Sequence, residues 1–296
     1  MRFDSYHPAI NFIFFTAVIL AAVTFDHPVF VLLGYLCPFL YSVALEGRRA
    51  LRFDLILLPL MALYTVFYSY YNHFGVTELS VNFVGNHTTL EAIVYGAVLS
   101  VKIASVLMWC RCLHAVISSD KVVYLLGRCC PRLSVYVAIL LRMAPRVRER
   151  WQKVEDARRC IGRSAREGGA AARLRNALGA VSVVTTWTLE DFMGSSESMR
   201  SRGYALKGRT AFSIYRFDNR DRCLVVTLFA LFTVLLMGVL LDQTRTLYAP
   251  RIQINPVSRW SYVFYAAYVL TCLLPLGLQL AGEWRCRRLI RRASEG

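Results

Sequence analysis

At 296 residues, 56% of them hydrophobic and with a mean hydropathy of +0.42, the chain lies outside the composition of soluble domains and inside that of membrane proteins. A net charge of +16 would suggest nucleic acid in a soluble protein, but cytoplasmic loops of membrane proteins are selectively basic, so the arginines are placed against the apolar spans first. The nine cysteines (Cys37, Cys110, Cys112, Cys129, Cys130, Cys160, Cys223, Cys272 and Cys286) are odd in number and lack C-x-x-C spacing, and no two of the five histidines sit a helical turn apart, so the thiols read as reduced and no metal site is expected.

A span needs roughly 20 apolar residues to cross about 30 Å of hydrocarbon. Residues 10–25 are short for this, and after Asp26, His27 and Pro28 they lead straight into 29–45, which predicts a tight hairpin. No small-residue cleavage site follows a basic start, so a cleavable signal peptide is not expected. Residues 46–54 carry Arg48, Arg49 and Arg52 and read as a cytoplasmic loop. Residues 55–71 form the third span, with Pro59 placed near its start, where first-turn amides are unpaired anyway. The next stretch, 72–89, holds no lysine or arginine and is expected outside.

Leu90–Val116 is the fourth span, with Lys102 near its middle and Arg111 toward its inner end. A central lysine costs about 2.5–3.5 kcal/mol on insertion scales, which Val98, Leu99, Val101, Ile103 and Leu107 largely offset at about 0.3–0.6 each. With no matching carboxylate inside another span, Lys102 is either part of a transport path or a lysine that faces the helix bundle or snorkels. Residues 118–221 contain no confident span, although 133–141 is apolar enough to lie in the interface, and their arginines put them in the cytoplasm. Residues 223–241 lead outward, 242–259 form an outer loop broken by Pro250 and Pro256, and 260–280 return to a basic tail. Arg245, Arg251 and Arg259 in that outer loop run partly against the charge rule. The expectation is an all-α integral membrane protein with about six transmembrane helices, divided into 1–117, 118–221 and 222–296, with both termini cytoplasmic.

The polar middle region predicts two long amphipathic helices. In the first, Val147, Trp151, Val154 and Ile161 fall on a helical stripe interrupted by Arg158, before Gly168 and Gly169 break the pattern. The second stripe runs Leu178, Ser182, Thr185, Leu189, Phe192, Ser196 and Met199 and reaches its end at Gly203. Such arginine-rich helices can rest against anionic head groups, at about 1 kcal/mol per basic residue. Both stretches also bring arginine beside glycine at a helix end, in 158–162 and 200–204. There glycine lets the backbone turn, and arginine offers its forked donors to another protein.

These ends resemble the paired Ala-Arg-Gly motifs of the transmembrane T component of energy-coupling factor transporters. The second motif is similar to Ser201, Arg202 and Gly203, followed by Tyr204 and soon by Gly208 and Arg209. The first falls at Cys160, Ile161 and Gly162, where glycine is kept and isoleucine stands in the arginine position, with Arg159 or Arg163 as possible substitutes. The resemblance covers most of the chain in layout and implies that the amphipathic pair are coupling helices. It also implies no catalytic residue, cofactor or substrate pocket here, two ABC-type ATPase subunits seated on the helix tips, and a small membrane-embedded S component that captures a vitamin or metal ion.

Three other readings compete. Residues 203–210 nearly spell a phosphate loop, G-x-x-x-x-G-K-T with Arg209 in the lysine place, but neither a buried strand before it nor a helix after it is expected. A self-sufficient secondary transporter with a basic regulatory loop would want mid-membrane ionisable groups on matching repeats, and only Lys102 is found. A nucleic-acid partner is not expected, because aromatic residues are not interleaved with the basic ones for stacking.

Overall fold

The computed structural model describes residues 3–72, 74–81, 87–164, 169–204, 206, 215, 217–249, 251–256 and 258–295. Its helices are α1 (Pro8–Thr24), α2 (Pro28–Glu46), α3 (Arg48–Tyr71), α4 (Leu90–Val116), α5 (Ser119–Cys129), α6 (Pro131–Cys160), α7 (Ala170–Ser201), α8 (Asn219–Leu240) and α9 (Arg259–Glu295). Two small antiparallel hairpins, β1 (Glu78–Val81) with β2 (His87–Thr89) and β3 (Thr246–Leu247) with β4 (Gln253–Ile254), lie in the loops after α3 and α8. The chain divides into two compact units, Met1–Ser118 with Tyr215–Gly296, and Ser119–Ile214.

The first unit is a bundle of α1–α4, α8 and α9. Five of these helices, α2, α3, α4, α8 and the Arg259–Arg288 part of α9, are long and apolar enough to cross a membrane. The sixth expected span, α1, has 17 residues and falls short of that length, about 26 Å of helix. Its inner face is nevertheless core, with Ile10, Phe14, Phe15 and Val18 packed against Trp109 of α4 and Tyr41 of α2. A second aromatic group, Phe25, Phe30, Tyr265 and Tyr268, joins the α1–α2 turn to α9.

Repeated local chemistry starts the first two helices. His7-Pro8 and His27-Pro28 each place proline at the first helical position, where no amide is needed, and an imidazole Nδ1 that accepts the amide two residues on, from Ala9 at 3.3 Å and from Val29 at 3.4 Å.

Two sequence expectations are corrected here. The basic stretch 46–54 is not a loop: Gly47 alone separates α2 from α3, and Arg48, Arg49 and Arg52 are helical. Arginine is a good helix former, so α3 extends below its apolar part, and Pro59 consequently lies in the helix interior. Lys102 faces the bundle, one of the readings open to it, and has a partner that sequence separation had hidden: its Nζ lies 2.6 Å from Asp26 Oδ1 in the α1–α2 turn. The same turn is anchored by Thr244, whose carbonyl accepts the amides of Asp26 and His27 at 2.9 and 3.0 Å, and by Tyr248, whose hydroxyl donates to the Asp26 carbonyl at 2.7 Å. Finally, the basic tail continues α9, with the Arg288 guanidinium 3.3 Å above the Trp284 ring.

The second unit consists of α5, α6 and α7. Helix α5, not foreseen as a separate element, packs on the start of α6, where the Ser134 hydroxyl donates to the Val123 carbonyl at 2.8 Å. The apolar run 133–141 is the first third of α6.

Candidate partner-binding site

Helices α6 and α7 cross antiparallel. Going up α6, Arg150 meets Trp187 and Asp191, Val154 packs with Ala180 and Val184, and Arg158 lies against Gly179, where a Cβ would come within 2.9 Å of the guanidinium. Asn176 then donates to the Ser164 carbonyl at 3.1 Å. Arg150 pins the crossing: it pairs with Asp191, donates to the Trp187 carbonyl at 3.1 Å and stacks 5.2 Å from the Trp187 ring.

The packed face of α7 is therefore Ala180 and Val184, and the expected stripe is displaced from it. Leu178 and Leu189 are 61% and 57% exposed, and Ser182, Thr185 and Ser196 are exposed too. On α6 the expected stripe holds at Val147, Trp151 and Val154 and fails at Ile161, which is 67% exposed. Hydrophobicity draws the eye to leucine, but the contact uses smaller residues: Val154 packs on Ala180 and Val184, and Gly179 leaves room for the Arg158 guanidinium. The adjacent Gly179 and Ala180, and the single Trp187 followed by Asp191, are the signals in the sequence that mark this face.

Both candidate motifs are helix C-caps of one geometry. At the end of α6 the Gly162 amide donates to the Arg159 carbonyl (3.1 Å) and the Arg163 amide to the Arg158 carbonyl (2.9 Å). At the end of α7 the Gly203 amide donates to Arg200 (3.1 Å) and the Tyr204 amide to Met199 (3.2 Å). Each is a Schellman cap, with the glycine in the left-handed region at φ +68° and +76°. Cys160 and Ser201 are thus equivalent last helical residues, Ile161 and Arg202 equivalent capping residues, and Gly162 and Gly203 equivalent turn residues.

The structure does not bring the two motifs together. The α6 cap lies beside the start of α7, near Asn176, whereas Ser201 is 25 residues further on, about 40 Å of helix away. Cys160, Ile161, Gly162, Ser201 and Arg202 are all exposed, and Gly203 is half-buried. Arg202 makes no side-chain hydrogen bond or ion pair among the described residues, while the Ser201 hydroxyl donates back to the Ser198 carbonyl at 2.9 Å. Two exposed caps, one ending in a guanidinium without a partner among the described residues and one in an isoleucine, offer two separate contact points on this unit. Arg166, Gly168, Gly208 and Arg209, and with them most of the phosphate-loop-like stretch 203–210, lie outside the described residues.

Inside the spans, Asp54 of α3 is 2% exposed, and neither of its oxygens is hydrogen-bonded among the described residues. It lies near the Arg111–Glu46 pair, in which Arg111 Nε donates to Glu46 at 3.1 Å and the guanidinium also rests 4.6 Å from the Phe53 ring. The sequence reading, having placed Asp54 in a loop, missed it as a buried carboxylate of a span.

No family model matches the chain, and a search of curated proteins finds none similar to it.

Proposed function

We propose that this chain is the non-catalytic transmembrane scaffold of an energy-coupling factor importer. Two ABC-type ATPases dock on the second unit, one at Ser201, Arg202 and Gly203 and one at Cys160, Ile161 and Gly162. The membrane helices hold a small S component, and ATP hydrolysis in the partners reorients it to deliver a vitamin or metal ion. In this reading the protein resides in the cell membrane with both termini and the α5–α7 unit in the cytoplasm. What supports it is the pair of matched caps at opposite ends of one antiparallel crossing, spaced about 40 Å apart so that two folded partners fit side by side. Arg150 ties α6 to α7 between the two caps.

The test is copurification from gently solubilised membranes, followed by ATPase assay. Two ATPases and a small hydrophobic subunit should accompany the chain, and the chain alone should not hydrolyse ATP. A second reading, the self-sufficient secondary transporter, is favoured by the buried Asp54, a carboxylate inside a span with no hydrogen bond among the described residues, because ionisable groups inside spans mark ion pathways. Uptake into vesicles that contain this chain alone, lost on Asp54→Asn, would establish that reading and end the first.

A further inference from the structure

We propose that the groove between α6 and the C-terminal part of α7 binds one anionic phospholipid, its phosphate held by Arg142 and Arg146 and its acyl chain laid along Val135, Ile139 and Met143. The groove has a volume of about 660 Å³, within the ordinary range of ligand sites. On its α6 wall Val135, Ala138, Ile139 and Met143 form an apolar face, with Arg142 beside Met143 and Arg146 about one turn beyond it, the two arginines one turn apart. The α7 wall adds the hydroxyl-bearing Ser195 and Ser198, with Arg202 also lining the groove.

Two carboxylates line the groove as well, but Asp191 is taken by Arg150. Among the described residues of the lining, Glu190 is then set against Arg142, Arg146 and Arg202, an excess of two positive charges. A small anion would use the arginines and leave the apolar turns bare, and a wholly apolar ligand would do the reverse. An amphiphile with a phosphate at one end satisfies both, and only Ile117 and Ser118 separate α5 from the α4 span, so the groove belongs to a chain that lives among such molecules. This inference goes beyond ATPase docking: it is carried by Arg142 and Arg146, which play no part there, although Arg202, at the edge of the groove, belongs to that docking tip.

The experiment is native mass spectrometry of the full chain in neutral detergent, titrated with dioleoyl phosphatidylglycerol or dioleoyl phosphatidylcholine. One phosphatidylglycerol should bind per chain, and the pair R142E/R146E should weaken it by about thirtyfold or more, the effect of two charges at a lipid phosphate. The pair R173E/R175E, an equal charge change at the other end of α7, should leave binding intact. Equal losses from both pairs would reduce the site to diffuse charge and overturn the proposal. So would phosphatidylcholine binding as tightly, or inorganic phosphate displacing the lipid at equal concentration. The unmutated protein supplies a check independent of folding: its affinity for phosphatidylglycerol should fall as salt rises, and salt-independent binding would also overturn it.

Discussion

Arg202→Ala should leave the chain folded and sharply weaken a docked ATPase. The side chain is exposed and makes no hydrogen bond or ion pair among the described residues, and the backbone bond from the Arg202 amide to the Ser198 carbonyl, 3.3 Å, survives in alanine. The expected change in stability is about 0.5 kcal/mol or less, with a part of that coming from the lost cation at a helix C-terminus. In a partner's pocket the same guanidinium would make charge-assisted bonds whose loss costs about 2–5 kcal/mol, or about thirtyfold to several-thousandfold in affinity. Thermal unfolding in detergent measures the first quantity, and titration of the immobilised chain with the ATPase pair measures the second. Arg166→Glu, a charge reversal on the α6–α7 connection, is the control. If it weakens the ATPases as much as Arg202→Ala does, the basic segment acts as diffuse charge and the role given to Arg202 is wrong.

Gly162→Ala should destabilise the α5–α7 unit by about 1–2 kcal/mol, since φ +68° is left-handed and the position is otherwise open; a neutral result in thermal unfolding would show that the cap is not held in that conformation. Gly203→Ala should cost at least as much, because its new Cβ also comes within 3.1 Å of Leu206. Lys102→Met and Asp26→Asn should each lower stability, and their double mutant should fall short of the sum by about 1 kcal/mol; strict additivity would mean that the 2.6 Å pair does not form. Burial pushes the His27 pKa below its ordinary value near 6.5, so the folded state binds fewer protons than the unfolded state just below that pH. Stability should therefore be highest above pH 6.5 and decline as pH falls through that value toward the lower folded pKa. His27→Asn, which keeps a capping side chain, should flatten this part of the curve in a pH series of unfolding midpoints, and an unchanged slope would assign the loss to another group.

Much of the fold is legible in the sequence because a bilayer imposes a length and a composition that local residues must meet by themselves. Leu90–Val116 is found to the residue, and the long helices of the polar region end at the glycines that mark them, since a left-handed cap at Gly162 or Gly203 is a property of a few consecutive residues. Proximity across the chain is another matter. That Lys102 meets Asp26, 76 residues away, that Arg150 pins Asp191, and that Asp54 is buried in a helix instead of lying in a loop depend on how helices pack, and no local periodicity encodes it. The face that α7 presents to α6 is hidden for the same reason: hydrophobicity ranks Leu178 and Leu189 first, whereas the packing uses Gly179, Ala180 and Val184. The sequence by itself determined five of the six expected spans and the caps, and only the tertiary structure decided that the two caps stand about 40 Å apart at opposite ends of one crossing, because antiparallel packing, not chain order, sets which helix ends are neighbours.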